Sequence, residues 1–312
     1  MNKKYIVGIG AANVDIYAKS LISIKTHYDH PAKIHTSVGV VTRNVLENLA
    51  KLNVNTILLS AIGNDIYGQM IIEHCKKKKI DVNHVLKVNN QTSGLFVQIQ
   101  DKNNDMYLAN CDMSVISHID IKYIKRNDSI LKNSSGIIID PSLDSKVIEY
   151  ILKTYKSIPL FLDPVSDNYA KKVKPYISKL YACKPNKTEL EILSGIKINN
   201  QESLIKAGKK LIQSGLKKLY ASLGSKGCLY MDNEGVIIYR KINPLKNIVN
   251  ASGAGDAFFA SIIYSYISGC DRQTSLDYAI KASKLTLMSK DPISDKLSVS
   301  YLKNEKENIW TI

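Results

Sequence analysis

The chain has 312 residues, 45% of them apolar and 23% charged, and carries a net charge of +15. A chain of that length hides roughly three quarters of its unfolded surface without disulfide staples, and its ordinary composition excludes a disordered chain, a collagen-like fibre and a coiled coil. Of the 43 basic residues only Arg43, Arg126, Arg240 and Arg272 are arginines, so a solvated lysine-rich surface explains the charge better than nucleic-acid readout, which leans on the arginine fork. In chain order, Tyr5 to Gly10 is a short apolar run closed by glycine. Val45 to Leu52 has helical spacing, Thr56 to Ile62 is a second buried-strand run, and Ile66 to Lys79 reads as a helix. Leu95 to Gln100 and Met106 to Ala109 flank a polar turn and predict a β-hairpin. Further buried-strand runs follow at Gly136 to Asp140, Pro159 to Asp163, Leu180 to Cys183 and Leu219 to Gly224, each before a polar or proline-marked turn. Continuous apolar strands separated by helices mean an α/β fold with a parallel sheet covered on both faces. Two segments break this rhythm, at about 16–37 and 92–113, and are expected to form a small β-sheet lid. With no repeat, low-complexity linker or clean boundary, one domain over 1–312 is expected.

Four loops carry the chemistry. Asn250-Ala251-Ser252-Gly253-Ala254-Gly255-Asp256 is a glycine-rich turn that opens an apolar helix. Such a turn aims free N–H groups and the positive helix end at an anion. Asp256 at its mouth is either a base that takes a proton from an attacking hydroxyl or a helix N-cap. Gly224-Ser225-Lys226-Gly227 after a strand suits a nucleotide loop, and it also suits a plain hairpin turn. Asn186 and Glu189, three residues apart, suit a hydrated Mg²⁺ or a capping box. Gly10 to Asp15 follows the first strand, and Ser37 to Asn44 opens a helix. Ligands bind at the carboxyl ends of such strands, and amide and carboxylate groups there suit sugar hydroxyls. As an alternative, Asn13 and Asp15 are turn residues.

The five cysteines are scattered and form no CxxC, so neither a disulfide framework nor a zinc site is indicated. His27, His30 and His35 lack a supporting ligand pattern and are not expected to hold a metal. No apolar run approaches the ~20 residues of a membrane span; Ala257 to Ile267 comes nearest. No membrane or nucleic-acid partner and a cytoplasmic location are expected.

Together and in this order, the four stretches resemble the PfkB/ribokinase family of sugar and nucleoside kinases. The Gly253-Ala254-Gly255-Asp256 signature is the most specific part. Within the family, Gly39 to Ala50 is similar to the GGVARNIAENLA segment of pseudouridine kinases, and Cys111-Asp112-Met113 and Asp163-Pro164-Val165-Ser166 look like that subgroup. The resemblance implies a ribokinase-like three-layer α/β/α sandwich with a mostly parallel central sheet and a small β-sheet lid. It implies ATP, Mg²⁺, a small sugar or nucleoside acceptor, and transfer of the γ-phosphate to a primary hydroxyl, the 5′-hydroxyl of pseudouridine in that subgroup. A homodimer through the lid is expected. Carried over by residue, Asp256 is the catalytic base and Gly253, Ala254 and Gly255 form the anion hole. Asn186 and Glu189 serve the metal, and Gly224, Lys226 and Gly227 the ATP. Asn13, Asp15, Gly39 and Asn44 hold the acceptor.

Three departures stand out. Val40 replaces a second glycine and is expected to narrow the acceptor floor. Asn250 and Ser252 replace an Asp and a Thr in a neighbourhood that helps relatives hold a monovalent cation, which counts against activation by K⁺. Ribokinase, fructokinase or another nucleoside kinase is the alternative among enzymes. A catalytically inactive sugar-binding regulator is the alternative outside them, and the intact Asp256 argues against it. A dinucleotide oxidoreductase does not fit, because Gly8-Ile9-Gly10-Ala11-Ala12-Asn13 lacks the third glycine of GxGxxG.

Overall fold

The structure is a computed structural model and describes residues 4–103, 105–243, 245, 247–304 and 310–311. The apolar runs become strands, and their side chains divide between two cores by strict alternation. Ile6, Leu58, Ile138, Phe161 and Tyr220 face one core, together with Val45, Leu49, Phe259 and Ile263 from helices. Their neighbours Val7, Ile9, Ile137, Ile139, Leu160 and Leu219 face the other, with Ile148, Leu190 and Leu204. A strand that buries both faces must be covered by helices on both sides. The result is the three-layer α/β/α sandwich that the sequence predicts.

Among the described residues the central sheet has ten strands. From one edge they are Trp310–Thr311, Ile237–Lys241, Cys228–Asp232, Lys218–Ser222, Ala182–Cys183, Leu160–Leu162, Gly136–Ile139, Tyr5–Ile9, Asn55–Leu59 and Ile80–Asp81. All from Lys218–Ser222 to Ile80–Asp81 run parallel. The first three extend the sheet in antiparallel fashion, an extension the sequence reading did not include. The strand expected from Leu180 shortens to Ala182–Cys183, and the helix expected over Ile66 to Lys79 ends at Lys77.

The small separate sheet orders Ala32–Gly39, Asn13–Ser20, Gly94–Gln100 and Met106–Asp112. Its hairpin, Gly94–Gln100 with Met106–Asp112, forms as expected. Asn13–Ser20 leaves the end of Tyr5–Ile9 after three residues, so this sheet grows directly from the carboxyl edge of the central one. Asn13 lies opposite both Gly39 and Gly94 in its two neighbours. Among the described residues no helix is long and apolar enough to cross a membrane.

Candidate active site

The glycine-rich turn behaves as its sequence requires. Gly253 is the N-cap of the Ala254–Ile267 helix at φ 76°, a left-handed conformation that suits glycine. A Cβ there would lie 1.9 Å from the Pro292 carbonyl oxygen, so only glycine fits. No side chain caps this helix, which removes the N-cap alternative for Asp256. Its carboxylate instead accepts a 2.9 Å hydrogen bond at Oδ2 from Asn44 Nδ2, across from the Val41–Lys51 helix. Asp256 is only 8% exposed. Burial pushes its carboxyl up to about 7, helped by the negative charge of Asp163 and opposed by Asn44, Lys184 and Arg43.

Three neighbouring parallel strands deliver charge to this edge. Asp140, Asp163 and Lys184 directly follow Gly136–Ile139, Leu160–Leu162 and Ala182–Cys183, and each is followed by proline. Lys184 Nζ pairs with Asp163 Oδ2 at 2.8 Å, with both side chains buried. Burial alone would depress the lysine, but Asp163, Glu189 and Asp256 outweigh it and hold its pKa above the ordinary value. A Cβ on Gly255 would come 3.3 Å from Lys184 Nζ, so the buried ammonium abuts the glycine turn. Asn186 and Glu189 form a complete capping box on the Lys187–Ser194 helix: Asn186 Oδ1 accepts from Glu189 N, and Glu189 Oε2 accepts from Asn186 N. The capping alternative is therefore realised. Glu189 is also a buried carboxyl pushed up to about 7, by burial first and then by Asp163.

Two cavities flank the turn. One, of about 280 Å³, is lined by Asp15, Gly39, Arg43 and Asn44 together with Pro292 and Ile293. Burial raises the Asp15 carboxyl to about 6, against the pull of Arg43. Gly39 leaves room for it, since a Cβ would sit 2.1 Å from Asp15 Oδ2. Gly94 does the same for Asn13, whose Oδ1 would be 2.1 Å from a Cβ. Asn13 is buried beside this cavity's strands but does not line it. Its Nδ2 lacks a hydrogen-bond partner among the described residues. Val40 does not narrow this floor and is absent from its lining. It caps the Val41–Lys51 helix at φ 83°, ψ 145°, where glycine is at ease and valine is strained.

The other cavity, of about 210 Å³, is lined by Gly224, Gly227, Ala254, Gly255, Phe258 and Lys284 among others. The Gly224–Lys226 turn joins antiparallel strands, so it is a hairpin turn and also a cavity wall. Gly227 at φ 103° leaves no space for a side chain, because a Cβ would meet the Arg240 carbonyl oxygen at 1.8 Å. Lys226 is exposed and lies outside the lining. The turn at 250–252 is tied down by one side chain: Asn250 Nδ2 donates to Lys290 O at 2.9 Å and its Oδ1 accepts from Ser252 N at 2.9 Å. Among the described residues no group of three or more potential ligands is placed to hold a metal ion.

Asp140, Lys184 and Arg43 were not singled out from the sequence, and Asp163 only as part of a turn. For Asp140, Asp163 and Lys184 the signal was present. A charged residue between a buried-strand run and a proline occurs three times in succession, and the residue before proline favours extended backbone.

The sequence matches the pfkB family of carbohydrate kinases over residues 3–298. It is 30% identical to the pseudouridine kinase of Escherichia coli strain K12 over 98% of this chain and 97% of that protein. A solved structure from Clostridium perfringens superposes with a TM-score of 0.89 at 29% identity, covering 100% of this chain and 99% of the other. The Arabidopsis thaliana ribokinase solved with ribose and ATP superposes at 0.83 and 22% identity, over 97% and 100% of the two chains. With the fold, the glycine turn and the match in agreement, the chain belongs to the pfkB family of carbohydrate kinases, phosphotransferases acting on hydroxyl groups of sugars or nucleosides.

Proposed function

We propose that the protein transfers the γ-phosphate of ATP to the 5′-hydroxyl of pseudouridine, giving pseudouridine 5′-phosphate and ADP. The observation that carries the phosphotransfer reading is Asp256, a buried carboxyl with no capping duty, held by Asn44, which lines one cavity, and next in sequence to Gly255, which lines the other. In this reading Asp256 takes the proton of the 5′-hydroxyl as its oxygen bonds to the γ-phosphorus and the bond to the β–γ bridging oxygen breaks. The N–H groups of Gly253, Ala254 and Gly255 face the phosphoryl oxygens, as a helix start favours anions. Lys184 beside Gly255 adds positive charge there. Asp15, Gly39 and Asn44 line the acceptor side, and Asn13, whose buried Nδ2 has no partner among the described residues, stands behind them as the remaining acceptor residue of this reading. Gly224 and Gly227 wall the nucleotide side, and the bare Gly227 lets the Arg240 carbonyl pack against it from the neighbouring strand.

Mg²⁺, when bound, offsets the charge that spreads over the γ-phosphate oxygens. Glu189 and Asn186 fit a hydrated ion held through its waters, because their capping bonds stay intact that way. Asn250 ties its loop to Lys290 with a neutral amide, so no K⁺ requirement is proposed. Exposed apolar side chains gather on the small sheet and its loops, among them Ile22, Tyr28, Ile34, Met106 and Leu108. A second copy covering that patch gives a homodimer, and a monomeric mass by light scattering would rule it out. The compartment proposed is the cytoplasm, where ATP is supplied.

Pseudouridine is favoured by the E. coli relative and by the subgroup-like segments at 39–50, 111–113 and 163–166. It offers one ring N–H more than uridine. A buried acceptor left unpaired costs on the order of 1–3 kcal/mol, roughly tenfold or more in preference. Steady-state kinetics on pseudouridine, uridine and ribose test the assignment. Equal efficiency on uridine, or preference for ribose, would reject pseudouridine and leave the kinase reading standing.

A further inference from the structure

The buried side of the first cavity holds two residues, Arg43 and His74, that the reaction above does not use. Arg43 on the Val41–Lys51 helix is 1% exposed. Its Nη2 donates to Glu47, one turn on, and lies 2.6 Å from Nδ1 of His74 on the Ile66–Lys77 helix. Its Nη1 donates to Asn44 Oδ1 at 3.1 Å. The far end of the same amide, Asn44 Nδ2, donates to Asp256 Oδ2. The four side chains form one line: His74, Arg43, Asn44, Asp256.

The polarity of that line is fixed by chemistry. A guanidinium only donates. His74 Nδ1 must therefore accept, so the ring is neutral with its proton on Nε2. Consistent with this, burial and then Arg43 hold the His74 pKa down at about 4. Asn44 must turn its oxygen to Arg43, which leaves only its NH₂ end for Asp256. A flipped amide would set oxygen against carboxylate and NH₂ against guanidinium, losing both charge-assisted bonds. We propose that Arg43 is a positioning residue: its fork, gripped by Glu47 and His74, locks the Asn44 amide so that its NH₂ end holds the Asp256 carboxylate in one place.

This rests on Asp256 being the base, and it adds the device that aims it. A lysine cannot replace the fork, because one compact ammonium does not span Glu47, His74 and Asn44 in fixed geometry. The charged and titratable groups that bear on Asp256 are Arg43 and, across the turn, Asp163 and Lys184. Those that bear on Arg43 are Asp15, Glu47, His74 and the buried thiol of Cys75, with Lys78 paired to Glu47 at 3.0 Å.

The test is the pH dependence of turnover in wild type, Arg43→Gln and Arg43→Lys, with the Michaelis constant for ATP measured alongside. The expected result for Arg43→Gln is a kcat lower by about tenfold or more, as for any misplaced catalytic group. Its acid limb should move up by roughly half a pH unit or more, since a nearby cation and a donated hydrogen bond both favour the carboxylate. The ATP constant should stay within about twofold, and Arg43→Lys should not restore kcat. If Arg43→Gln does not fold, the double variant Arg43→Gln/Glu47→Gln removes the buried pair together and is read in the same way. A lower melting temperature with kcat and acid limb unchanged would overturn the proposal, as would full activity in Arg43→Lys. Full turnover in Asp256→Asn would instead reject the base reading on which it rests.

Discussion

Replacing Asp256 by asparagine should cost activity and gain stability at the same time. An ordinary aspartyl carboxyl titrates near 3.8, whereas burial sets this one at about 7. At about 1.4 kcal/mol per pH unit, keeping it ionised in the fold at pH 8 costs on the order of 4 kcal/mol. The favourable contribution of this group is complete below about pH 4, where it is protonated folded or unfolded. It is lost as the pH rises through 7, because the unfolded chain ionises first. Asparagine keeps the shape and can still accept from Asn44, but it gives up the attraction of Lys184. A net gain of about 1–3 kcal/mol at pH 8 is expected, or several degrees in melting temperature. Turnover should fall by roughly 10²-fold or more, the usual cost of losing a general base. The assay is thermal unfolding of both proteins from pH 5 to 8, with turnover measured on the same samples. Glu189 and Asp15 titrate in the same window, so the quantity to read is the difference between variant and wild type. A variant less stable than wild type at pH 8, or a difference that does not change with pH, would refute the reasoning.

Val40→Gly should stabilise the protein by about 1 kcal/mol. Relief of a strained φ is worth ~1–3 kcal/mol and the added chain entropy costs ~0.5–1 kcal/mol; a lower melting temperature would count against strain at this cap. Glu189→Ala should raise the Mg²⁺ concentration needed for half-maximal rate severalfold, on top of a loss of about 1 kcal/mol for the broken capping box. A loss of stability with unchanged Mg²⁺ dependence would leave Glu189 a cap alone. Exchanging K⁺ for Na⁺ in the assay should leave turnover unchanged, since Asn250 holds its loop by a neutral bridge; strong activation by K⁺ would show a cation at work there.

The layers of the fold were legible because both-face burial writes itself into a strand as an unbroken apolar run, as in Ile137-Ile138-Ile139. The antiparallel extension was harder to see. Cys228–Asp232 and Ile237–Lys241 follow a turn whose glycines serve a hairpin and a ligand equally well. The role of Asp256 could not be settled in sequence, because the competing cap depends on the backbone of Gly253 and on where the carboxylate points. Asn186 and Glu189 showed the opposite case, where the local pattern and the realised cap agree. Arg43 was visible only as one letter of a segment. Its partner His74 lies 31 positions on and belongs to another helix, and no local spacing connects the two.

The most direct test of the central claim is phosphorus NMR of the products formed by wild-type protein from ATP, Mg²⁺ and pseudouridine. The expected result is ADP and an equal amount of one new phosphate monoester, coupled to the 5′ protons of the nucleoside. Release of free inorganic phosphate with pseudouridine untouched, or a phosphate on a secondary hydroxyl, would contradict it.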